Sequence, residues 1–168
     1  MLLLVVKLDS KLGQAVVKMS GSKTFMRIGP KVVPHVDRFL HKVSGGKFIS
    51  SGGLLPSLVL TTTGAKTGQT RTTPLATKPE DDHWYVVGSN FGREKHPAWT
   101  ANLIANPEAS VSYKGEDIRV VAHLLDADEK AKVWPDLLKI WPAWTSYTER
   151  SGRDLRVFKL ERTRSGDV

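Results

Sequence analysis

The spacing of apolar and polar positions changes character along the chain. Val32, Val33, Val36, Phe39, Leu40 and Val43 recur at helical intervals, with His35, Arg38, His41 and Lys42 mostly on the opposite side. That spacing predicts an amphipathic helix, which Gly45-Gly46 would stop. Further on the period shortens. The run LVLTTTGAKTGQTRTTPLA, residues 58–76, holds two β-branched stretches around a Gly-rich interruption and reads as strand, loop, strand. Residues 84–89, WYVVGS, form another strand, broken by Asn90, Phe91 and Gly92. HPAWTANLIANP predicts a short helix with Pro97 at its first position and Asn106-Pro107 ending it. Residues 109–113 and 116–125 read as a hairpin turning at Lys114-Gly115. Asp126 and Glu129 make a capping-box start for a helix through Trp134, and Pro135 is expected to begin a second short helix to Ile140. In WPAWTSY, Trp141, Trp144 and Tyr147 stand at i, i+3 and i+6, on one side of any helix there. Residues 156–161 are the final strand.

Hairpin-linked strands with helices inserted among them, and no GxGxxG after any strand, argue against a doubly wound parallel sheet. The fold expected is mainly β (α+β), an antiparallel barrel with peripheral helices and an N-terminal helical segment. KFISSGGLLPS, residues 47–57, is a Gly/Ser linker. It divides a basic helical segment, 1–50, from a barrel domain, 51–168.

Composition adds boundaries. With 40% apolar and 25% charged residues in 168, the chain reads as one soluble globular domain. The absence of cysteine excludes disulfides, thiolate metal sites and thiol catalysis, and the five histidines have no ligand spacing, so no metal is expected. The net charge of +8 is concentrated: residues 1–47 carry seven Lys and two Arg against Asp9 and Asp37. Such a segment fits a solvated helical face packed on the barrel, an anionic membrane surface, or a nucleic-acid arm. Nucleic acid is not expected, because only Phe25, Phe39 and Phe48 could stack on bases and no binding motif is present. The opening MLLLVV is too short to span a bilayer and lacks the flanks of a signal peptide. The expected location is the cytoplasm, with a peripheral place on the inner face of the cell membrane as the membrane alternative.

The loop GAKTG offers small residues that expose backbone N–H groups beside the ammonium of Lys66 and, three residues past Gly68, the guanidinium of Arg71. These are donors suited to a phosphate, although the spacing is not that of a Walker loop and a solvated hairpin tip has the same composition. The ordered set GAKTGQTRTTPL, GSNFG and HPAWTANLIANP resembles the deazaflavin-dependent nitroreductase family, split β-barrels of the FMN-binding-like type that use coenzyme F-420; the resemblance covers about residues 58–147. It implies an oxidoreductase that passes hydride from reduced coenzyme F-420 to quinone-like or nitroaromatic acceptors. A deazaflavin-binding or storage protein without turnover is the alternative, as is an FMN enzyme on the same barrel. Relatives in that family are often membrane-associated through the N-terminal region.

Carried onto this sequence, the resemblance implies that Ala65, Lys66, Thr67 and Arg71 hold the cofactor phosphate. Thr72, Thr73, Pro74, Leu75 and Ala76 would line its tail and ring edge, and Val87, Gly88, Ser89 and Asn90 would run beside the ring. Ala98, Trp99 and Asn102 match the flanking helix, where Trp99 also suits a core. Ser89 and Tyr147 are the candidate catalytic hydroxyls, although Ser89 also reads as a strand terminus. His96 is a possible acid but stands beside Pro97 as surface histidines do. Trp141, Trp144 and Tyr147 would line the acceptor pocket, or else belong to the core. Nitroimidazole-reducing members carry tyrosines along this stretch, and here two of the three positions are tryptophan. An indole N–H can orient an acceptor but cannot protonate it, which favours a quinone.

Overall fold

The computed structural model describes residues 55–163. The expected helix at 32–43, the basic segment 1–50 and the domain boundary after it lie outside the described residues. Six strands are present in this region: β1 (Ser57–Thr63), β2 (Thr70–Pro79), β3 (His83–Val87), β4 (Glu108–Tyr113), β5 (Glu116–Leu124) and β6 (Val157–Arg162). Three helices accompany them: α1 (Ala98–Ala105), α2 (Ala127–Ile140) and α3 (Ala143–Ser151). The strands close into an antiparallel barrel in the order β1-β2-β3-β6-β5-β4, with β4 returning to β1. The mainly β, antiparallel barrel with peripheral helices is the fold expected from the spacing.

Strand β2 is shared between two partners. Its first part pairs with β1, as in Leu60↔Thr73, and its last residues pair with β3, as in Thr77↔Val86. Period-2 alternation sorts the side chains. On β5, Ile118, Val120 and Ala122 are buried while Asp117, Arg119 and Val121 are exposed. On β3 and β6 both faces are covered. Trp84, Val86, Phe158 and Leu160 point into the barrel with Leu58, Leu60 and Val111, and α1 adds Trp99 and Leu103 to the same core. Val87 and Val157 face the other way, into a second core built with Leu137, Ala143, Trp144, Tyr147 and Leu155. Burying one large apolar side chain contributes about 1.5–3 kcal/mol, so this second core is what holds α2 and α3 against the barrel.

The turns and caps follow local chemistry. Lys114 (φ 51°) and Gly115 (φ 87°) both adopt positive φ, the two-residue hairpin geometry that matches strand twist. The capping box closes from both sides: Glu129 N–H donates to Asp126 Oδ1 at 2.8 Å and Asp126 N–H to Glu129 Oε2 at 2.9 Å. Two expectations need correction. Pro97 caps α1 from outside, and the helix starts at Ala98. Pro135 does not begin a new helix but lies inside α2, which runs unbroken to Ile140. An interior proline forfeits one backbone hydrogen bond and costs about 3 kcal/mol. The packing of Leu137, with Trp134 and Leu138, against the second core offsets that loss.

Candidate active site

The loop between β1 and β2 is a tight, internally bonded turn. Gly68 N–H donates to Gly64 O at 2.8 Å, Thr67 N–H to the same oxygen at 3.2 Å, and Gly64 N–H to Gln69 O at 2.8 Å. Gly64 has no room for a side chain, since an added Cβ would lie 2.8 Å from Thr67 Oγ1 and 3.1 Å from Gln69 O. Gly68 takes the left-handed conformation (φ +66°). Lys66 and Thr67 ride exposed on this turn, and Lys66 forms no hydrogen bond or ion pair among the described residues. Arg71 is exposed, with Nη2 donating to Gln69 Oε1 at 2.8 Å. The cradle therefore presents two cations of which one is uncommitted, a donor set that fits a phosphate.

Helix α1 fixes this loop from behind. Asn102 is buried at 8% exposure; its Oδ1 accepts Ala65 N–H at 3.0 Å and its Nδ2 donates to Thr62 Oγ1 at 3.0 Å. Two residues earlier, the fully buried Thr100 meets the end of β3. A Cβ on Gly88 would come within 2.8 Å of Thr100 Cγ2 and 3.3 Å of Arg156 O. One short helix thus touches both the phosphate-type loop and the strand end carrying Val87, Gly88 and Ser89. Trp99 is barrel core, with its ring 5.6 Å from that of Phe158, while Ala98 is exposed. Thr72 is exposed, and Thr73, Pro74, Leu75 and Ala76 are half-buried along β2.

Beyond Gly88 the chain makes a 3-10 turn at Asn90–Gly92. Asn90 (φ 46°) and Phe91 (φ 55°) hold left-handed backbone without being glycine, at about 1–2 kcal/mol each. Asn90 Nδ2 donates to Lys95 O at 2.7 Å, so that side chain serves its own loop. Ser89 is half-buried, and its hydroxyl makes no hydrogen bond among the described residues. Gly92 rests on α3, where a Cβ would fall 3.2 Å from Tyr147 Cα.

Arg153, just past α3, reaches into the same loop. Its Nε donates to Arg93 O at 2.9 Å, its Nη1 to Gly88 O at 3.1 Å and its Nη2 to Ser89 O at 2.8 Å. Nη1 also lies 3.0 Å from His96 Nδ1. Because a guanidinium only donates, His96 Nδ1 must be the acceptor and its proton must sit on Nε2. Burial lowers the His96 pKa, as do Arg156 and Arg153, against an opposing push from Asp154. That makes it a weak candidate for a proton donor. Burial, with Arg156 beside it, likewise lowers the pKa of Arg153. Arg156 itself donates to Thr100 Oγ1 at 3.1 Å.

The three aromatic positions divide. Trp144 and Tyr147 are 3% and 2% exposed and belong to the second core. Packing accounts for their burial, the core placement that the sequence also allowed. Trp141 is half-buried at the junction of α2 and α3 and retains surface. Arg153, Arg156 and Thr100 are the residues that sequence reasoning missed. Arg153 and Arg156 both follow the Gly152 stop of the last helix, and nothing in the local spacing names their partners.

A closed antiparallel barrel with a cationic Gly-rich hairpin, a strained loop at a strand end and one helix spanning both is a split-barrel architecture with a donor set suited to a phosphate-bearing cofactor. Residues 35–162 match the model of the F420H(2)-dependent quinone reductase family, and the chain belongs to that family. It is similar to an F420H(2)-dependent quinone reductase of Mycobacterium tuberculosis, 33% identical over 118 residues, which are 66% of this chain and 76% of that protein. Among solved structures it resembles an F420-H2 dependent reductase at 33% identity and TM-score 0.59, covering 63% of this chain and 94% of that one. It also resembles a domain-swapped dimer at 30% identity and TM-score 0.61, covering 76% and 94%. The enzyme class and cofactor expected from the motifs follow from this membership: an oxidoreductase that uses reduced coenzyme F-420. No helix among the described residues is long and apolar enough to cross a membrane.

Proposed function

We propose that this chain reduces quinone-type acceptors, with the cofactor phosphate held at the loop 64–69 and the ring laid along residues 87–90. The observation that carries the reading is the double attachment of α1, through Asn102 to Ala65 and through Thr100 against Gly88. It sets the phosphate-type cradle and the small-residue strand end at a fixed separation, as a single elongated cofactor would require.

Reduced coenzyme F-420, when bound, supplies a hydride from its central ring. The chain's residues do the rest. Lys66 and Arg71 would hold the phosphate by charge-assisted hydrogen bonds, with Ala65 and Thr67 shaping the turn around it. Thr72, Thr73, Pro74, Leu75 and Ala76 would give the tail a half-buried strand to lie on. Gly88, lacking a side chain, allows close approach to the ring, and Ser89 Oγ can donate to the oxygen of the acceptor as charge builds there. Trp141 offers a flat indole edge to an aromatic acceptor. A quinone suits this arrangement because its reduced oxygen can be stabilised by one hydroxyl until water protonates it. A nitroaromatic acceptor asks more of the protein, because its reduced anion needs a proton donor in the pocket.

Residues 1–47 extend the proposal. Their charge supports a peripheral attachment to anionic lipid on the inner face of the cell membrane, where quinone acceptors dissolve. Titration of the purified protein with coenzyme F-420, followed by fluorescence, and oxidation of the reduced cofactor by menadione test the core reading. Binding of FMN in preference to the deazaflavin would overturn the cofactor assignment. Binding without turnover would favour a storage role.

A further inference from the structure

We propose that Arg153 is a positioning residue for this reduction: its guanidinium fastens the loop 88–96 by the loop's own carbonyls, and His96 completes the fork only while its ring is neutral. The inference rests on the reading of residues 87–90 as the segment beside the cofactor ring.

Only Gly88, whose N–H donates to Arg156 O at 2.8 Å, continues the strand pairing; beyond it the loop has no strand partner among the described residues. Its internal bonds include Ser89 N–H to Val87 O at 2.9 Å, Gly92 N–H to Ser89 O at 3.0 Å, Arg93 N–H to Asn90 O at 3.1 Å, and the Asn90 side chain to Lys95 O. They close a turn through two non-glycine residues in left-handed backbone, Asn90 and Phe91, a conformation that persists only where its surroundings impose it. Gly92 packs on Tyr147 of α3, and Arg153 holds the chain on both sides of the turn. It binds the carbonyls of Gly88 and Ser89 where the loop begins, and that of Arg93 beyond the turn. Gly152, in left-handed backbone (φ 64°), ends α3 and releases Arg153. A lysine there would bring one compact ammonium on a flexible stem, which cannot span carbonyls at both ends with a fixed plane.

His96 adds a pH-sensitive contact to the fork. With Nδ1 unprotonated it accepts from Nη1 at 3.0 Å; with Nδ1 protonated, two donors and two positive charges would face each other at that distance. The charged groups acting on the imidazole are Arg153, Arg156 and Asp154 from the α3–β6 connection, while Arg93, Glu94 and Lys95 precede it on its own loop. The cations and burial hold its pKa below the ordinary histidine value. Native His96 therefore binds fewer protons than the unfolded chain just below pH 6.5. The contact is fully present above that value and is lost as pH falls through the lowered native pKa.

Hydrogen exchange of the peptide spanning 88–96, in the full-length protein without cofactor and corrected for intrinsic rates, reads the clamp directly. Wild type should be protected at pH 7.5 and become markedly faster as pH is stepped down through the lowered His96 pKa. Arg153→Lys should exchange about tenfold faster or more across the whole series, the loss of several charge-assisted bonds. His96→Gln keeps an acceptor at every pH and should retain protection throughout. Arg153→Lys should also lower kcat for menadione more than it weakens cofactor binding. Unchanged exchange in Arg153→Lys would overturn the proposal, as would a loosened loop with affinity and kcat intact, which would mark a merely structural arginine. Should Arg153→Lys fail to fold, the pH series on wild type and His96→Gln still decides: a wild-type pH dependence that persists in His96→Gln overturns the role of the histidine. Wild type that does not bind coenzyme F-420 overturns the functional reading itself, and does so before any variant is made.

Discussion

Asn102, from the middle of α1, accepts the Ala65 N–H at 3.0 Å and hands its own amide proton to Thr62 Oγ1 at 3.0 Å. One buried side chain thus ties the end of β1 to Ala65 in the cationic loop. Removing it leaves the buried Thr62 hydroxyl without its donor, at about 1–3 kcal/mol for a buried unsatisfied group, and frees the N–H of the exposed Ala65 to water. Asn102→Ala should therefore lower stability to urea by about 2 kcal/mol or more and weaken coenzyme F-420 binding beyond what the stability loss explains. A variant that loses stability but binds normally would separate the loop's anchoring from its function.

The cradle itself can be probed without disturbing the core. Lys66 and Arg71 are exposed, so replacing them should leave the melting temperature nearly unchanged. Each charge-assisted hydrogen bond to a phosphate is worth about 1.5–3 kcal/mol, and Lys66→Ala combined with Arg71→Ala should weaken cofactor binding by several hundredfold. Raising salt should weaken wild-type binding and affect the double variant less. Fluorescence titration at two ionic strengths measures both, and salt-independent wild-type affinity would remove the phosphate from this loop.

Gly88 makes a prediction of the opposite kind, from space rather than charge. Its missing Cβ leaves no slack against Thr100 Cγ2 and the Arg156 carbonyl. Gly88→Ala should destabilise the protein by about 1–3 kcal/mol through overpacking, seen as a lowered urea midpoint. The double variant with Thr100→Ser removes the offending methyl and should recover part of the loss; no recovery would place the strain elsewhere.

How much of this was legible in the sequence depended on range. Strand runs, the Lys114-Gly115 hairpin and the Asp126–Glu129 capping box are set by residues within a few positions of each other, and they appear as expected. The loop GAKTG could be found, and its charge read, for the same reason. Pro135 misled because its local rule was overridden by packing of α2 on a core assembled from distant residues. Trp144 and Tyr147 show the regular spacing of both a core face and a ligand slot, and their burial in the second core depends on distant residues that spacing does not reveal. Arg153 was illegible: its partners lie 57 to 65 residues away and are mainly backbone carbonyls, which leave no mark in side-chain pattern.

The basic segment 1–47 carries a prediction that the barrel cannot. Full-length protein should co-sediment with vesicles containing anionic lipid and not with neutral ones, since each Lys or Arg near such a surface contributes about 1 kcal/mol. A truncation beginning near Gly46 should lose that binding while keeping cofactor affinity. Equal sedimentation on both lipids would favour packing of the segment on the barrel instead.

Acceptor choice follows from which hydroxyls the loop and helices leave free. Tyr147 is buried in the second core and Trp144 packs beside it, so in this arrangement Ser89 is the candidate proton-bearing group that retains surface, with Trp141 offering an indole. Hydride addition to a nitroimidazole ring leaves an anion that must be protonated within a closed pocket, and a serine hydroxyl is far too weak an acid to do so at neutral pH. A quinone leaves a phenolate-like oxygen that Ser89 can stabilise by hydrogen bonding until solvent delivers the proton. Loss of general-acid assistance typically slows a reaction by about 10²–10⁴-fold. Wild type should therefore reduce menadione at least about 10²-fold faster than a bicyclic nitroimidazole, measured as oxidation of reduced coenzyme F-420. Ser89→Ala should slow menadione reduction with little change in cofactor affinity, and Trp141→Tyr should raise the nitroimidazole rate more than the quinone rate. Equal wild-type rates on both acceptors would mean that another group supplies the proton, and Ser89 would no longer be the residue at the acceptor.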